Sequence, residues 1–535
     1  MRLSISITLR DLVGQQLARW RRGAAGARLK RAILALAVAS VFVDTPAHAA
    51  KWTVTPSIRV QETYTNNVGL DESGEEEWDL ITEAEPGVFV RGEGDRLNLS
   101  FDYRALGLFY IQDQDRNRVD HRFNGKATYE AVRDFFYVDV GGTMTQQFES
   151  PFGAVAVDSS NDTDNRYTAS SYYVAPYIRG RVLGDSTYLV RNAHTWTNAG
   201  QSSVLSDAYT DQWTGRFATP IRTFGLGLTY DRSDTEYDDS PQELSTEVAR
   251  AIGYWRIDPQ FILNGRAGYE KVESLFSERS ENIYGAGFQW FPTPRTSIEA
   301  FGEHRVFGTG YLFNLQHRRP LATYRLRASR DLSTYPQNLF TLQEGSTVDL
   351  LMNLPQFVDA APNDLILREQ LVKAYIQLAG LPDSINTAVP FYSQQIQIQT
   401  RQEASVALTG VRNTVVFSVY RVESENFSDD DTDAAVQLDA LFGRHIDQRG
   451  ANVSWTHRLS GRTRTNLSLY RTHVKEEQPF SRKSVQHTLR ASINTAIGPK
   501  TNAYVGARYV VFDADEGAFH DYREAAAFVG FTHRF

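Results

Sequence analysis

Beyond Ala50, stretches of about ten residues alternate apolar and polar side chains, the period of an extended strand with one greasy and one wet face. Trp52, Val54, Ile58, Val60 and Tyr64 share one parity. So do Leu97, Leu99, Phe101 and Tyr103, and again Phe224, Leu226, Leu228 and Tyr230. The pattern returns at Phe261 to Tyr269, Tyr284 to Trp290, Tyr324 to Ala328, Val415 to Val419 and Leu489 to Ile493. No run of 18 apolar residues follows Ala50, which excludes helical membrane spans.

A soluble sandwich also alternates, so the connections must identify the medium outside the greasy face. Ten tight turns stand out: Gly92 to Asp95, Arg133-Asp134, Gly184-Asp185, Thr219-Pro220, Asp258-Pro259, Thr293-Pro294, Arg318 to Pro320, Val411 to Asn413, Ser460-Gly461 and Gly498 to Lys500. Longer polar connections lie between them, at Gln146 to Asn165, Thr197 to Ser206, Asp231 to Gln242, Glu423 to Gln448 and Asp513 to His520. Short turns at one end and long loops at the other are the arrangement of outer-membrane barrels. Ten turns imply eleven hairpins. The predicted fold is therefore all-β: a transmembrane antiparallel up-and-down β-barrel of about 22 strands, within a range of about 18 to 26.

Residues 331–393 break the rhythm. From Asn363 onward, Leu365, Ile366, Leu371, Val372, Tyr375, Ile376 and Leu378 recur at helical spacing, with Asn363 as a cap and Gly380 and Pro382 as a stop. A weaker helical stretch covers Val348 to Val358 and is interrupted by Pro355. This helical insertion buries an apolar face, and it could plug the lumen, cap the outer mouth or dock a partner. Turn parity puts it on the long-loop side.

The N-terminal segment carries Arg19, Arg21, Arg22, Arg28, Lys30 and Arg31, then an uncharged apolar run from Ala32 to Val43, then Ala47-His48-Ala49 before Ala50. It reads as a secretory signal peptide over residues 1–49, cleaved between Ala49 and Ala50, with Ala47 and Ala49 as the small residues of the site. The remainder, residues 50–535, is the barrel. Cleavage removes eight of the 56 Lys+Arg and two of the 64 Asp+Glu, leaving 48 against 62 and a net charge of −14. That balance opposes nucleic-acid binding. With no cysteine in the chain, disulfides, thiolate metal sites and a lipid anchor are excluded. The last strand runs through Val529 and Phe531 into a terminal Phe535, resembling the C-terminal signal that barrel-assembly machinery reads, with His533 where an apolar residue is usual. The location expected is the Gram-negative outer membrane, among its lipids and lipopolysaccharide.

Two segments carry a more specific likeness. Trp52 to Val68 contains Pro56-Ser57-Ile58 and Tyr64-Thr65-Asn66-Asn67-Val68, and Gln394 to Val415 contains Ala404 to Thr414. Together with the helical insertion before the second segment, they resemble the outer-membrane barrels associated with PEP-CTERM/exosortase systems, found beside exopolysaccharide loci. The resemblance spans the mature chain. It implies a location and an association with extracellular polysaccharide, and it supplies no catalytic residues.

If the apolar parity faces lipid, the opposite parity places Arg216, Arg266, Arg305, Arg325, Arg327, Arg490 and Arg508 in the lumen, with Asp102, Glu299, Glu303 and Glu403. Arginine rows along a wet pore would favour anionic solutes such as uronic-acid polymers. The same arginines could instead be salt-bridged to the carboxylates and fill the interior. Acidic clusters at Asp71 to Glu77, Asp234 to Asp239 and Asp429 to Asp433 read as solvated loops, the last lacking the Gly and Glu of a calcium loop. No metal set, cofactor fingerprint or nucleophile elbow is present. The reading is a non-enzymatic channel or assembly component for exopolysaccharide export, working with a periplasmic partner on a separate chain. A structural or adhesive barrel that binds polymer without conducting is the alternative. A rim hydrolase using His457, His473, His487 or His533 is third, since no serine is paired with them.

Overall fold

Twenty-two antiparallel strands form one continuous sheet that closes on itself. The computed structural model describes residues 51–200, 206–238, 243–274, 277–334, 395–427, 443–478, 481–515 and 520–535, and within the insertion 347–352, 354–361, 368–369, 371–373 and 375–376. The signal segment with Ala47, Ala49 and Ala50, and the cluster Asp429 to Asp433, lie outside the described residues, apart from Lys51 onward. Residues Trp52–Phe535 make one unit.

The strands are β1 (Lys51–Thr65), β2 (Asp79–Glu93), β3 (Leu97–Tyr110), β4 (Arg118–Val132), β5 (Phe136–Phe148), β6 (Arg166–Val182), β7 (Ser186–Asn198) and β8 (Ala208–Ala218). They continue as β9 (Phe224–Tyr237), β10 (Glu243–Asp258), β11 (Phe261–Ser274), β12 (Ser277–Thr293), β13 (Thr296–Arg305), β14 (Gly308–Arg319) and β15 (Ala322–Ser333). After the insertion come β16 (Gln397–Thr409), β17 (Asn413–Asn426), β18 (His445–Arg458), β19 (Thr463–Gln478), β20 (Lys483–Ala496), β21 (Thr501–Ala514) and β22 (Tyr522–Arg534). Each pairs with its neighbours in sequence, and β22 returns to β1 with Phe531 opposite Val60 and Val529 opposite Glu62. Closure removes both sheet edges, so every wall strand has its backbone donors and acceptors paired, as hydrocarbon requires.

The two faces follow the sequence parity. Leu467, Leu469, Leu489, Val505 and Val529 point outward and are exposed, while Asn466, Ser468, Thr488, Arg508 and Glu524 on the other parity are buried. Phe224 is 71% exposed and Leu228 43%. Leaving a large apolar side chain in water costs roughly 1.5–3 kcal/mol relative to burial, so rows of them around the whole wall require hydrocarbon outside. Among the described residues no helix is long and apolar enough to cross a membrane; the strands do so.

All ten tight turns fall at one end of the barrel, none longer than the five residues 219–223. Leu183 and Gly184, in the turn between β6 and β7, take φ of 51° and 83°, a reversal that glycine makes without strain. At the opposite end β1 and β2 are joined by residues 66–78 and β5 and β6 by residues 149–165, but β13 and β14 by the two-residue hairpin 306–307. Asp231 to Gln242 differs from the expected loop. There β9 runs on to Tyr237 and pairs with β10 as far as Glu236 opposite Glu243, because the ladder continues after the outer face turns polar.

The insertion leaves the wall after Ser333 and returns at Gln397, three residues later at each end than the sequence rhythm suggests. It contains α1 (Thr347–Met352) and α2 (Pro355–Ala360), with Pro355 opening α2 at its first turn, where its missing N–H costs nothing. The described residues between Arg368 and Ile376 are helical too. Leu351, Leu354, Phe357, Val372 and Ile376 pack together on Ala407 and Val416, two fully buried residues paired across β16 and β17. The Tyr375 hydroxyl donates to Thr414 Oγ1 at 3.1 Å. Ala407, Thr414 and Val416 face inward beside the tight turn at 410–412. An element that departs at the long-loop end is thus seated inside, against the tight-turn end of the wall. It is a plug.

Candidate functional site in the lumen

Residues 149–165 form a second occupant. They leave β5, cross inside the barrel and contact β19 to β22 before joining β6. Phe152 is buried with Ile446 and Val474, and the Arg482 guanidinium lies over its ring at 4.9 Å. Ala156 packs with Leu70, Val510, Phe512 and Tyr522. The polar half follows. Asp158 meets Arg508 on β21, and the Arg508 Nη2 also donates to Ser160 Oγ and Asn161 Oδ1, both at 2.9 Å. Asn161 Nδ2 donates to Glu524 Oε1 at 2.8 Å, and Arg508 binds the same carboxylate at 2.7 Å. On the other side, Arg122 and Arg166 both donate to Ser159 Oγ, at 2.8 and 3.0 Å, and Arg118 pairs with Asp162 at 2.6 Å. These bonds strap the loop from β4 and β6 to β21 and β22.

Burial alone would raise the Asp158 carboxyl. The guanidiniums of Arg508 and Arg490 and the hydrogen bonds from Ser160 outweigh it and hold the group at about 2. The strap is therefore anionic at every physiological pH, and its charge is matched.

The predicted arginines take lumenal positions, and Arg216, Arg266, Arg305, Arg490 and Arg508 lie within salt-bridge distance of carboxylates. Arg216 binds Asp231 at 2.6 Å. Arg305 forks onto Glu270 at 2.5 and 2.8 Å and reaches Asp331 at 3.0 Å. Glu303 lies 2.7 Å from Arg250 and 3.8 Å from Arg266, whose guanidinium stacks 3.5 Å above the Phe301 ring. Arg490 sits 4.0 Å from Asp158 and 4.5 Å over the Phe528 ring. Arg508 is the hub of the strap. Arg325 and Arg327 lie opposite Ser405 and Glu403 in register, on the strands that flank the plug. Of the predicted carboxylates, Asp102 binds Arg104 at 3.1 Å, and Glu403 lies 3.7 Å from Arg401. The densest of these contacts form one charged network on β10 to β15 and another around the strap. They are too mutually neutralised to act as a bare cationic row.

The sequence reading missed the partners Asp158, Glu270, Asp331 and Glu524, and it missed that residues 149–165 fold inward. One signal was present: Phe152-Gly153-Ala154-Val155-Ala156-Val157 is an apolar run that a solvated loop does not need.

At the C-terminus, Val529, Phe531 and Phe535 lie on the outward face, and the Phe535 N–H donates to Pro56 O at 3.0 Å. His533 belongs there because Thr501 Oγ1 satisfies its Nδ1 at 2.8 Å and its ring meets Phe535 edge-on at 4.7 Å. His457 is satisfied at 2.7 Å by Asn413, and among the described residues no group of His, Asp and Glu could hold a metal ion.

The closed sheet, the greasy outer wall and the polar interior define the class: a transmembrane β-barrel of the bacterial outer-membrane type, with its lumen occupied by its own chain. No protein-family model and no curated protein matches the sequence. Among solved structures, the chain is similar to the siderophore receptor PirA of Acinetobacter baumannii, at 9% identity and a TM-score of 0.45, over 90% of this chain and 80% of that one. It is also similar to OpdO of Pseudomonas aeruginosa, at 10% identity and a TM-score of 0.33, over 90% and 97% of the two chains. The outer membrane protein OpdK of the same organism gives 8% identity and a TM-score of 0.35, over 90% and 99%. The class rests on the topology and the two faces of the wall.

Proposed function

We propose that this protein is a gated outer-membrane conduit that serves exopolysaccharide export or assembly, and that it is not an enzyme. The observation that carries the reading is the double occupancy of the lumen. A 22-stranded wall encloses more space than its own side chains fill, and here a strap and a plug take up that space. The plug is joined to the wall only through residues 334–396, so its removal leaves the sheet uninterrupted. Lumenal arginines that exchange a neighbouring carboxylate for a carboxylated polymer would let an anionic chain pass once the plug moves. The resemblance to barrels of PEP-CTERM/exosortase systems supplies the polysaccharide context. The plug's seat at the tight-turn end, which faces the periplasm in this class, puts it within reach of a periplasmic partner.

The test is conductance in planar bilayers of the intact protein and of a variant lacking residues 340–390. A gated conduit gives small or rare openings when intact and large steady ones after deletion. Absence of conductance in both supports the structural or adhesive alternative. Loss of surface polysaccharide on gene deletion, restored by the intact gene, tests the pathway separately.

A further inference from the structure

On the outward face of β19 to β22, the last continuous apolar row on the long-loop half is Leu469, Leu489, Tyr509 and Ala525, each opposite the next in register. One outward position further on, the chemistry reverses. Arg471 stands directly opposite His487, and the row continues through Val511 to Arg523. Beyond it, Arg449 stands opposite His473, and Lys475 opposite Lys483. One cross-strand pair, Lys475 and Lys483, therefore sets like charges directly opposite, an arrangement that disfavours strand pairing unless an anion lies between them, and two more set an arginine against an imidazole. The charges of Lys483, Arg449 and Arg471 all bear on His473, with Asp447 opposing them.

The carboxylates on this face neutralise only part of the group, through Arg449 and Lys475. Asp447 is held by Arg449 at 2.6 Å and Arg421 at 2.9 Å, Glu423 by His445 and Arg421, and Glu477 by Lys475 at 3.0 Å. Asp513 lies in the His473 row, two strands away. Arg471, Lys483 and Arg523 are left exposed, with no carboxylate at salt-bridge distance among the described residues.

We propose that this patch binds the phosphorylated lipid A headgroup of lipopolysaccharide. The long-loop end of such a barrel faces the cell exterior, and the outer leaflet there is built of lipopolysaccharide. A glycolipid with its acyl chains against Leu469, Leu489 and Tyr509 places its sugar phosphates at the level of Arg471 and Arg523. Phosphate oxygens accept from guanidinium forks in parallel pairs and from ammonium as a point charge, so one phosphate bridges cations that otherwise repel. Phospholipids with a single phosphodiester charge occupy the other leaflet, at the tight-turn end, where this patch does not reach.

The experiment measures equilibrium binding of detergent-purified full-length protein to three probes: deep-rough lipopolysaccharide with both lipid A phosphates, the same glycolipid dephosphorylated, and phosphatidylglycerol. The wild type is expected to prefer the bisphosphorylated probe by about tenfold over each of the others. The triple variant R471Q/K483Q/R523Q is expected to lose that preference, and R471K/R523K to keep it, with heat-modifiable gel mobility reporting that each is folded. Equal binding of the three probes by the wild type overturns the proposal without reference to any variant. Undiminished preference in the folded triple variant overturns it as well.

Discussion

Asp158 and Arg508 are 350 residues apart in sequence, yet their charged groups meet inside the barrel. The pair fixes the strap to β21, and Glu524 on β22 holds the same guanidinium from the other side.

Replacing Asp158 with Asn removes one charged partner and leaves the Glu524 contact in place. The strap is expected to loosen at a cost of about 2 kcal/mol, within the range for hydrogen bonds to charged groups. Limited proteolysis within residues 149–165 should accelerate, while the heat-modifiable mobility of the barrel stays unchanged.

The acid response follows from the depressed carboxyl. Asp158 titrates near 3.8 when free and at about 2 in place, so its contribution is complete above about pH 4 and is lost as the pH falls towards 2. A fluorophore attached at Ala154 should report a constant environment from neutral pH down to about 4, followed by release over the next two units. The Asp158→Asn variant should show no such transition.

The two faces of the wall predict opposite sensitivities along one strand. Ile493→Arg, midway along the outward apolar run from Leu489 to Ile497, puts a charge into the middle of the hydrocarbon and should cost about 2–4 kcal/mol. Asn494→Gln, on the lumenal parity of the same strand, should change stability by less than about 0.5 kcal/mol. Denaturant unfolding of vesicle-inserted protein measures both.

The plug should come loose without opening the wall. Leu351→Ala together with Val372→Ala removes buried methyl groups from the cluster on Ala407 and Val416, at about 2–5 kcal/mol for the leucine alone. Channel openings should become more frequent, and the unfolding midpoint of the wall should stay within error of the wild type.

Truncation of Phe535 should lower the yield of folded protein in the outer membrane. The residue is exposed at the end of the closing strand, and its backbone N–H makes the last bond to β1, at Pro56. The ratio of folded to unfolded bands after expression measures the effect.

Much of the wall is legible in the sequence. Parity located the outward rows because each outer position meets hydrocarbon and each inner one meets polar groups. The ten tight turns could be read because Gly, Pro, Asn and Asp mark them. The hairpin at Val306-Phe307 escaped notice because both residues are apolar, and only Gly308, at φ 94°, betrays the reversal. Interior pairing was not legible. Arg305 selects Glu270 across 35 residues through the registers of β11, β12 and β13, a choice that no local pattern encodes. The strap was hidden for a similar reason, since its polar residues look solvated until Arg508 and Glu524 are brought alongside.

Those two residues lie on β21 and β22, the last strands of the barrel in chain order. Until both are in place, the polar half of the segment at 149–165 lacks its partners on that side, and an unclosed sheet keeps an open, water-filled gutter along its margin. Fastening of the strap's polar half is therefore tied to completion of the circle, and a quality-control protease would tell finished from arrested molecules by whether that half is still within its reach.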